Sequence, residues 1–255
     1  MTLTEIQAKI SNAKALDFGD IFNKSIELFK KVWLQGLLTI IISGALLIPF
    51  YILMYLPLIA MGLIDPEAFQ DDPSFNFALF LPFIIFLIVF VFYAMFVSFV
   101  MRAAFFRICK QKDLGIASSD EYFYFFKKQY VPKVLKLSLA AVGISLLALL
   151  LCGLPIIYVS VPISFFSIIF AFNPELSTSE IIKASFDLGN KKWLITFGLT
   201  IVAAILAEIV GLLMCLIGIL VTASFVYLPL YFIYKEVVGI DDENELNQIG
   251  KNDGF

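Results

Sequence analysis

With 255 residues, 61% of them apolar and only 15% charged, and a mean hydropathy of +0.95, the chain lies outside the range of soluble domains, which carry about 25% charged residues. The net charge of −3 says little by itself, but the lack of any histidine excludes Ser-His-Asp and Cys-His nucleophilic systems, His-x-x-Glu-His zinc chemistry and facial-triad iron. There is also no Walker loop, no dinucleotide fingerprint and no cysteine pair at zinc spacing, so no catalytic residue, cofactor or metal is expected.

Residues 1–20 are polar and lack the short apolar stretch of a signal peptide, so the first span is expected to serve as its own insertion signal. A cap-like pair, Asp17-x-x-Asp20, opens an amphipathic helix with Phe22, Ile26, Phe29 and Trp33 at helical spacing. It ends in Lys30-Lys31-Val32-Trp33 and runs into a first apolar span over 34–60. The loop over 61–76 carries Asp65, Glu67, Asp71 and Asp72 without a basic residue. A second span follows over 77–101, inside a run of 27 uncharged residues. As a helix that run is about 40 Å long, against a hydrocarbon core of ~30 Å.

Arg102 and Arg107 mark the end of that span and begin the basic segment 102–136, which also holds an unpaired cysteine, Cys109. A second amphipathic copy opens with Ser118-x-x-Glu121, continues through Phe123 and Phe126, and closes on Lys127-Lys128-Gln129-Tyr130. The next 36 residues, 137–172, carry no charge. They are too long for one crossing, and Cys152-Gly153-Leu154-Pro155 supplies the break. A third copy opens with Ser177-x-x-Glu180, carries Ile182 and Phe186, and closes on Lys191-Lys192-Trp193. The final apolar run, 194–234, breaks near Cys215-Leu216-Ile217-Gly218, which brings the total to six spans.

Offsetting the first copy by 160 positions onto the third matches Ile21 with Ile181, Ser25 with Ser185, Leu28 with Leu188, Lys31 with Lys191 and Trp33 with Trp193. The expected fold is an all-α integral membrane protein with six transmembrane helices in three parallel repeats. Each repeat is an interfacial amphipathic elbow helix followed by a two-helix hairpin, related to the others by rotation about the membrane normal. A single membrane domain spans 1–236, with units at about 17–110, 117–173 and 177–236, and a flexible polar tail covers 237–255. All 18 Lys and Arg fall before 34, in 102–136, in 183–192, or at 235 and 251. Under the positive-inside rule these segments and both termini are cytoplasmic.

Lys30, Lys31, Trp33, Lys127, Lys128, Tyr130, Lys191, Lys192 and Trp193 are expected to anchor the elbows at the headgroup level, each basic residue contributing ~1 kcal/mol near anionic lipid. Glu208 is the one charge deep in a span, 15 residues past Trp193 and about 22 Å along the axis. It is either a proton, cation or ligand site, or a protonated acid bonded to a neighbouring helix. Cys152 and Cys215 each lie 22 residues after the aromatic of their unit. A disulfide between them requires Cα atoms within ~7 Å; small apolar turn residues are the simpler reading.

The segment Asp20-Ile21-Phe22-Asn23-Lys24-Ser25, with Trp33, Ser185 and Trp193 in this repeated setting, resembles an uncharacterised bacterial multi-pass membrane family. That family is similar to the membrane domain attached to some glycerophosphoryl diester phosphodiesterases. The resemblance implies a bacterial inner-membrane module without the hydrolase domain. Similar chains sometimes carry a beta-carotene monooxygenase label, but carotenoid-cleaving enzymes hold iron with histidines, and this chain has none. The leading expectation is a non-enzymatic membrane protein that organises lipid or partner proteins, with the bilayer and its anionic headgroups as partner and no nucleic acid. The alternatives are a small transporter working through Glu208 and an enzyme acting on lipid.

Overall fold

A computed structural model describes residues 1–64, 73–151, 153–214 and 217–240, with backbone alone over 54–64, 73–82 and 217. Every regular element among them is helical. The helices are α1 (Leu3–Ser11), α2 (Phe18–Ile64), α3 (Pro73–Leu114), α4 (Val131–Leu150), α5 (Leu154–Ser164), α6 (Phe166–Phe172), α7 (Thr178–Lys191), α8 (Trp193–Leu213), α9 (Ile217–Thr222) and α10 (Leu228–Val237). Short 3-10 turns lie at Tyr124–Phe126 and Ala223–Tyr227. Six stretches are long and apolar enough to cross a membrane: Phe18–Leu53, Phe83–Leu114, Val131–Leu150, Leu154–Phe172, Trp193–Leu213 and Gly218–Val237.

The two tight reversals lie at the expected breaks. Gly153 takes a left-handed φ of 75° ahead of α5, whose first turn holds Pro155. Glycine tolerates that φ without a Cβ penalty, and proline at a helix start loses no hydrogen bond. At the second reversal α8 and α9 touch backbone to backbone, since a Cβ on Gly211 would lie 2.8 Å from the Ile219 Cα. Thr222 Oγ1 locks this pair by donating to the Ala207 carbonyl at 2.7 Å.

α2 packs on α3, α4 on α5, and α8 on α9. The Leu154–Phe172 and Gly218–Val237 stretches lie at the centre, 56% and 61% buried, against 28% or less for the other four. The described Lys and Arg side chains fall on or beside α1, the start of α2, the end of α3, the start of α4, α7 and the end of α10. Ion pairs joining α2, α3 and α10 define this as the basic end of the bundle. The large sealed side chains sit toward the basic end: Phe105, Phe106, Phe125, Phe166, Phe170, Tyr231 and Tyr234 are each under 2% exposed. Toward the other end Leu146, Leu147, Leu149, Leu150, Leu151 and Leu154 are 53–80% exposed. A leucine belt of this kind is stable only against hydrocarbon or another apolar surface.

The three amphipathic segments differ from the expected trio of elbows. In the first, α2 runs unbroken through Trp33 and Leu34, so amphipathic segment and span form one helix. Gly36, the nearest candidate for a break, instead lets the Ser224 side chain approach the helix backbone. In the second, only the turn Tyr124–Phe126 forms, with Phe125 turned inward while Phe123 stays exposed. Phe125 is fully buried, 4.9 Å from Phe170 and 5.2 Å from Tyr130 between ring centroids.

The third is a separate helix, α7, started by a capping box in which Ser177 and Glu180 satisfy each other's backbone N–H. It stops at Lys192, whose backbone leaves the helical region (φ −117°, ψ 25°). Its apolar face packs on protein: Ile181, Ala184, Ser185 and Leu188 are buried, and a Cβ on Gly189 would lie 2.8 Å from the Pro162 Cα. α1 covers its other side, with Gln7 Nε2 donating to Asp187 at 2.7 Å.

Copies one and three still share local structure. Ile21 and Ile181, Ser25 and Ser185, and Leu28 and Leu188 are all buried. Both serine hydroxyls donate to the carbonyl of their aligned isoleucine, at 2.8 and 2.7 Å. The packed chain also extends past the expected boundary at 236, since α10 includes Val237 and Val238 is 1% exposed. The rest of the acidic tail, the centre of the acidic loop, and Cys152 and Cys215 lie outside the described residues, and the disulfide expectation lies there with them.

Candidate functional site: a basic, aromatic cleft

α3 continues past Arg102 for three more turns, which brings Arg107, Lys110 and Gln111 onto one face at i, i+3 and i+4. The collapsed second copy folds over this face. The Arg107 guanidinium lies 3.4 Å above the Tyr124 ring centroid, and Lys127 Nζ is 4.4 Å from the same centroid. A tyrosine between two cations is held by the negative face of its ring. The Tyr124 and Tyr130 hydroxyls are 3.2 Å apart.

Burial, reinforced by the Tyr124 hydrogen bond, raises the Tyr130 pKa. Burial beside Asp120 pushes neighbouring Tyr122 up to about 12. Both phenols therefore stay protonated at neutral pH and can donate.

The opposite wall is the end of α6. Asn173, its C-terminal cap, is fully buried; its Nδ2 donates to the Ile169 carbonyl at 3.2 Å and to the Tyr234 hydroxyl at 2.6 Å. Lys133 Nζ donates to the adjoining Pro174 carbonyl. Between the walls lies a cleft of about 330 Å³ lined by Arg107, Lys110, Gln111, Tyr124, Tyr130 and Asn173 among others, at the small end of ligand sites. Lys110 is 8% exposed. Among the described lining residues Glu175 is the one acid, beside the basic Arg107 and Lys110. Among the described residues, three buried polar atoms of these side chains have no hydrogen-bond partner: Arg107 Nη1, Gln111 Oε1 and Asn173 Oδ1.

Ion pairs around the cleft hold this end together. Asp113 accepts from Lys235 Nζ at 2.6 Å and from the Tyr231 hydroxyl at 2.8 Å, joining α3 to α10. Lys24 bridges Asp20 at 2.7 Å and Glu236 at 2.8 Å, joining α2 to α10. Asp120 pairs with Lys112 at 3.1 Å and accepts from Gln35 at 3.2 Å.

The nine expected anchors divide between outward and inward positions. Lys31, Trp33, Lys128 and Lys191 are exposed, as is Lys30, which pairs with Glu27 on its own helix. Trp193 donates from Nε1 to the Tyr158 carbonyl at 3.0 Å and stacks on Phe197. Lys127 is exposed as well, with its Nζ over the Tyr124 ring, while Tyr130 lines the cleft. Lys192 is 7% exposed, and its Nζ donates to the Lys14 carbonyl. It occupies the buried place that Val32 holds in the first copy, and burial, then the Lys191 charge, lowers its pKa.

Glu208 is exposed on α8, among Ile205, Ile209 and Leu212, and lines none of the four clefts described. Among the described residues no group of three or more His, Cys, Asp or Glu could hold a metal.

Arg107 reads in the sequence as a span boundary, and no local pattern marks Gln111. The one local signal was an amide following an uncharged run, as Asn173 follows 137–172. No protein-family model, curated protein or solved structure matches the chain.

Proposed function

We propose that the chain is a non-enzymatic integral membrane protein that organises lipid, with its basic end on the cytoplasmic side and engaged with anionic headgroups. The observation that carries this reading is the concentration of exposed Lys31, Lys128 and Lys191, the exposed Trp33, and the Arg107–Lys110 cleft at one end of a bundle whose other end is a leucine belt. Exposed lysines beside aromatics attract anionic headgroups, and the leucines match hydrocarbon. The family resemblance belongs to the same proposal, as a membrane module without the hydrolase domain. The transport alternative rests on Glu208, and the outward position of that residue among aliphatic side chains lends it no support.

The test is thermal unfolding of the full chain in nanodiscs of phosphatidylcholine with an increasing fraction of anionic phospholipid. The midpoint is expected to rise with the anionic fraction, and the rise to shrink in the combined Lys31→Gln, Lys128→Gln, Lys191→Gln variant. A midpoint indifferent to lipid charge overturns the proposal.

A further inference from the structure

We infer that α8 pairs inside the membrane with α8 of a second copy of this chain, along the seam Ile201, Ile205, Glu208 and Leu212. The two Glu208 carboxyls are hydrogen-bonded to each other across that interface. This goes beyond the lipid-organising reading and does not depend on it.

Glu208 is the one Asp, Glu, Lys or Arg within the apolar runs 34–60, 77–101, 137–172 and 194–234. The inner face of α8 is already taken, since Ala207 and Gly211 meet α9. Glu208 is exposed and makes no hydrogen bond or ion pair with any described residue. It lies about 22 Å past Trp193 along the helix axis. Beyond it Leu212, Leu213 and Met214 are 53–79% exposed, so apolar surface continues on its far side. The short glutamate stem cannot carry its carboxyl past that surface to the headgroups, as a lysine stem could. An acid facing hydrocarbon is costly, and acids within spans take a polar partner or a wet cavity. Neither is offered by the described residues of a single copy.

The geometry of α8 selects the partner. Ile201, Ile205, Glu208 and Leu212 are all exposed and follow one another at intervals of 4, 3 and 4 residues. That is heptad spacing, the stripe along which two helices interlock side chains at a crossing of about 20°. A single polar residue in such a seam fixes its register and the number of chains. Every copy inserts the same way round, because the same basic segments orient it, so like residues lie at equal depth. A second copy therefore brings no cation to Glu208, but it brings Glu208 itself.

A neutral carboxyl offers one O–H donor and a carbonyl acceptor. Across a two-fold axis along the membrane normal, each O–H donates to the other's carbonyl oxygen, and both acids are satisfied. A two-fold interface requires a patch that complements itself in this way. Hydrogen bonds between spans also hold helices together where apolar surface alone has no preference over lipid. Leu206 and Leu213, each one position round the helix from the seam, stay toward hydrocarbon.

The experiment is single-molecule photobleaching of the full chain, dye-labelled at its C-terminus, in phosphatidylcholine liposomes over a range of protein-to-lipid ratios. A two-step population is expected that grows with the ratio and stops at two. Glu208→Leu should weaken the dimer about tenfold, whereas Glu208→Gln, whose amide keeps a donor and an acceptor, should stay within about threefold. Ile205→Trp, which thickens the seam, should also weaken it, and Leu139→Trp on the exposed face of α4 should not. Glu208 and Ile205 are exposed, so these variants open no cavity in the single copy, and circular dichroism checks that each is folded.

Chains that stay monomeric at every ratio, with or without a foreign subunit attached, overturn the inference. So does a dimer indifferent to Glu208→Leu or to Ile205→Trp, a Glu208→Gln variant as weak as Glu208→Leu, or an assembly that grows past two. The thermal shift with anionic lipid is a separate readout, so either proposal can fail alone.

Discussion

The two ends of the bundle use apolar side chains for opposite purposes. At the basic end Phe105, Phe106, Phe170 and Tyr234 are sealed inside protein, while at the other Leu150, Leu154 and Leu213 are 75–80% exposed. The difference teaches that apolar content here does not define a single core. Part of it packs protein on protein, where a missing atom leaves a cavity. Part of it meets a solvent that is itself apolar, where a missing atom is replaced by a neighbouring chain. The polar fastenings follow the same division, since the Asp113, Lys24 and Asp120 networks all join helices at the basic end.

The largest expected effect contrasts the two ends directly. Phe170→Ala should destabilise the protein by about 3–5 kcal/mol, whereas Leu150→Ala should stay within about 0.5 kcal/mol, both measured by denaturant unfolding in mild detergent. Equal losses would dissolve the distinction. Next, Gly189→Leu should cost about 1–3 kcal/mol by driving side-chain volume into Pro162. Gly143→Leu is the control, because nothing lies within 4 Å of a Cβ there, and it should be nearly silent.

Asp113→Ala removes the acceptor shared by Lys235 and Tyr231 and should cost about 1–3 kcal/mol. Its local signature should be faster amide exchange in α10 than in α4. The smallest effect concerns the α7 cap, where Ser177→Ala should cost about 1 kcal/mol. Hydrogen bonds from Ser177 hold the Glu180 carboxyl below its ordinary value of 4.5. A carboxylate lowered in the folded state contributes stability above its unfolded pKa and loses it as pH falls through the folded value. Exchange protection of α7 should therefore weaken below about pH 4.5 in the wild type, and this pH dependence should shrink in Ser177→Ala.

Much of this architecture was legible in the residues. Uncharged runs longer than one crossing, interrupted at Gly153-Leu154-Pro155 and near Gly218, force two hairpins. Ser177-x-x-Glu180 names its own helix start. The second copy misled, because its aromatic spacing looks helical while Phe125, outside that spacing, is drawn into the core against Phe170. The first copy contains no element able to stop a helix at Trp33, so elbow and span fuse.

Lys192 shows a different limit, since a Lys-Lys pair reads as two exposed charges until one of them takes a buried place and bonds the Lys14 carbonyl. The cleft was hidden for a topological reason. Its walls come from positions near 107, 124, 173 and 240, which no local pattern links.

The central claim is that one end of this bundle is closed protein core and the other faces lipid. Carbene photolabelling from a diazirine placed on lipid acyl chains, read residue by residue in the reconstituted full chain, tests it most directly. Labels are expected on 146–151, on Leu154 and on the outer face of 205–213, with 165–170 and 231–234 left unlabelled. Strong acyl-chain labelling of Phe170 or Tyr234, or none at Leu150 and Leu154, would contradict it.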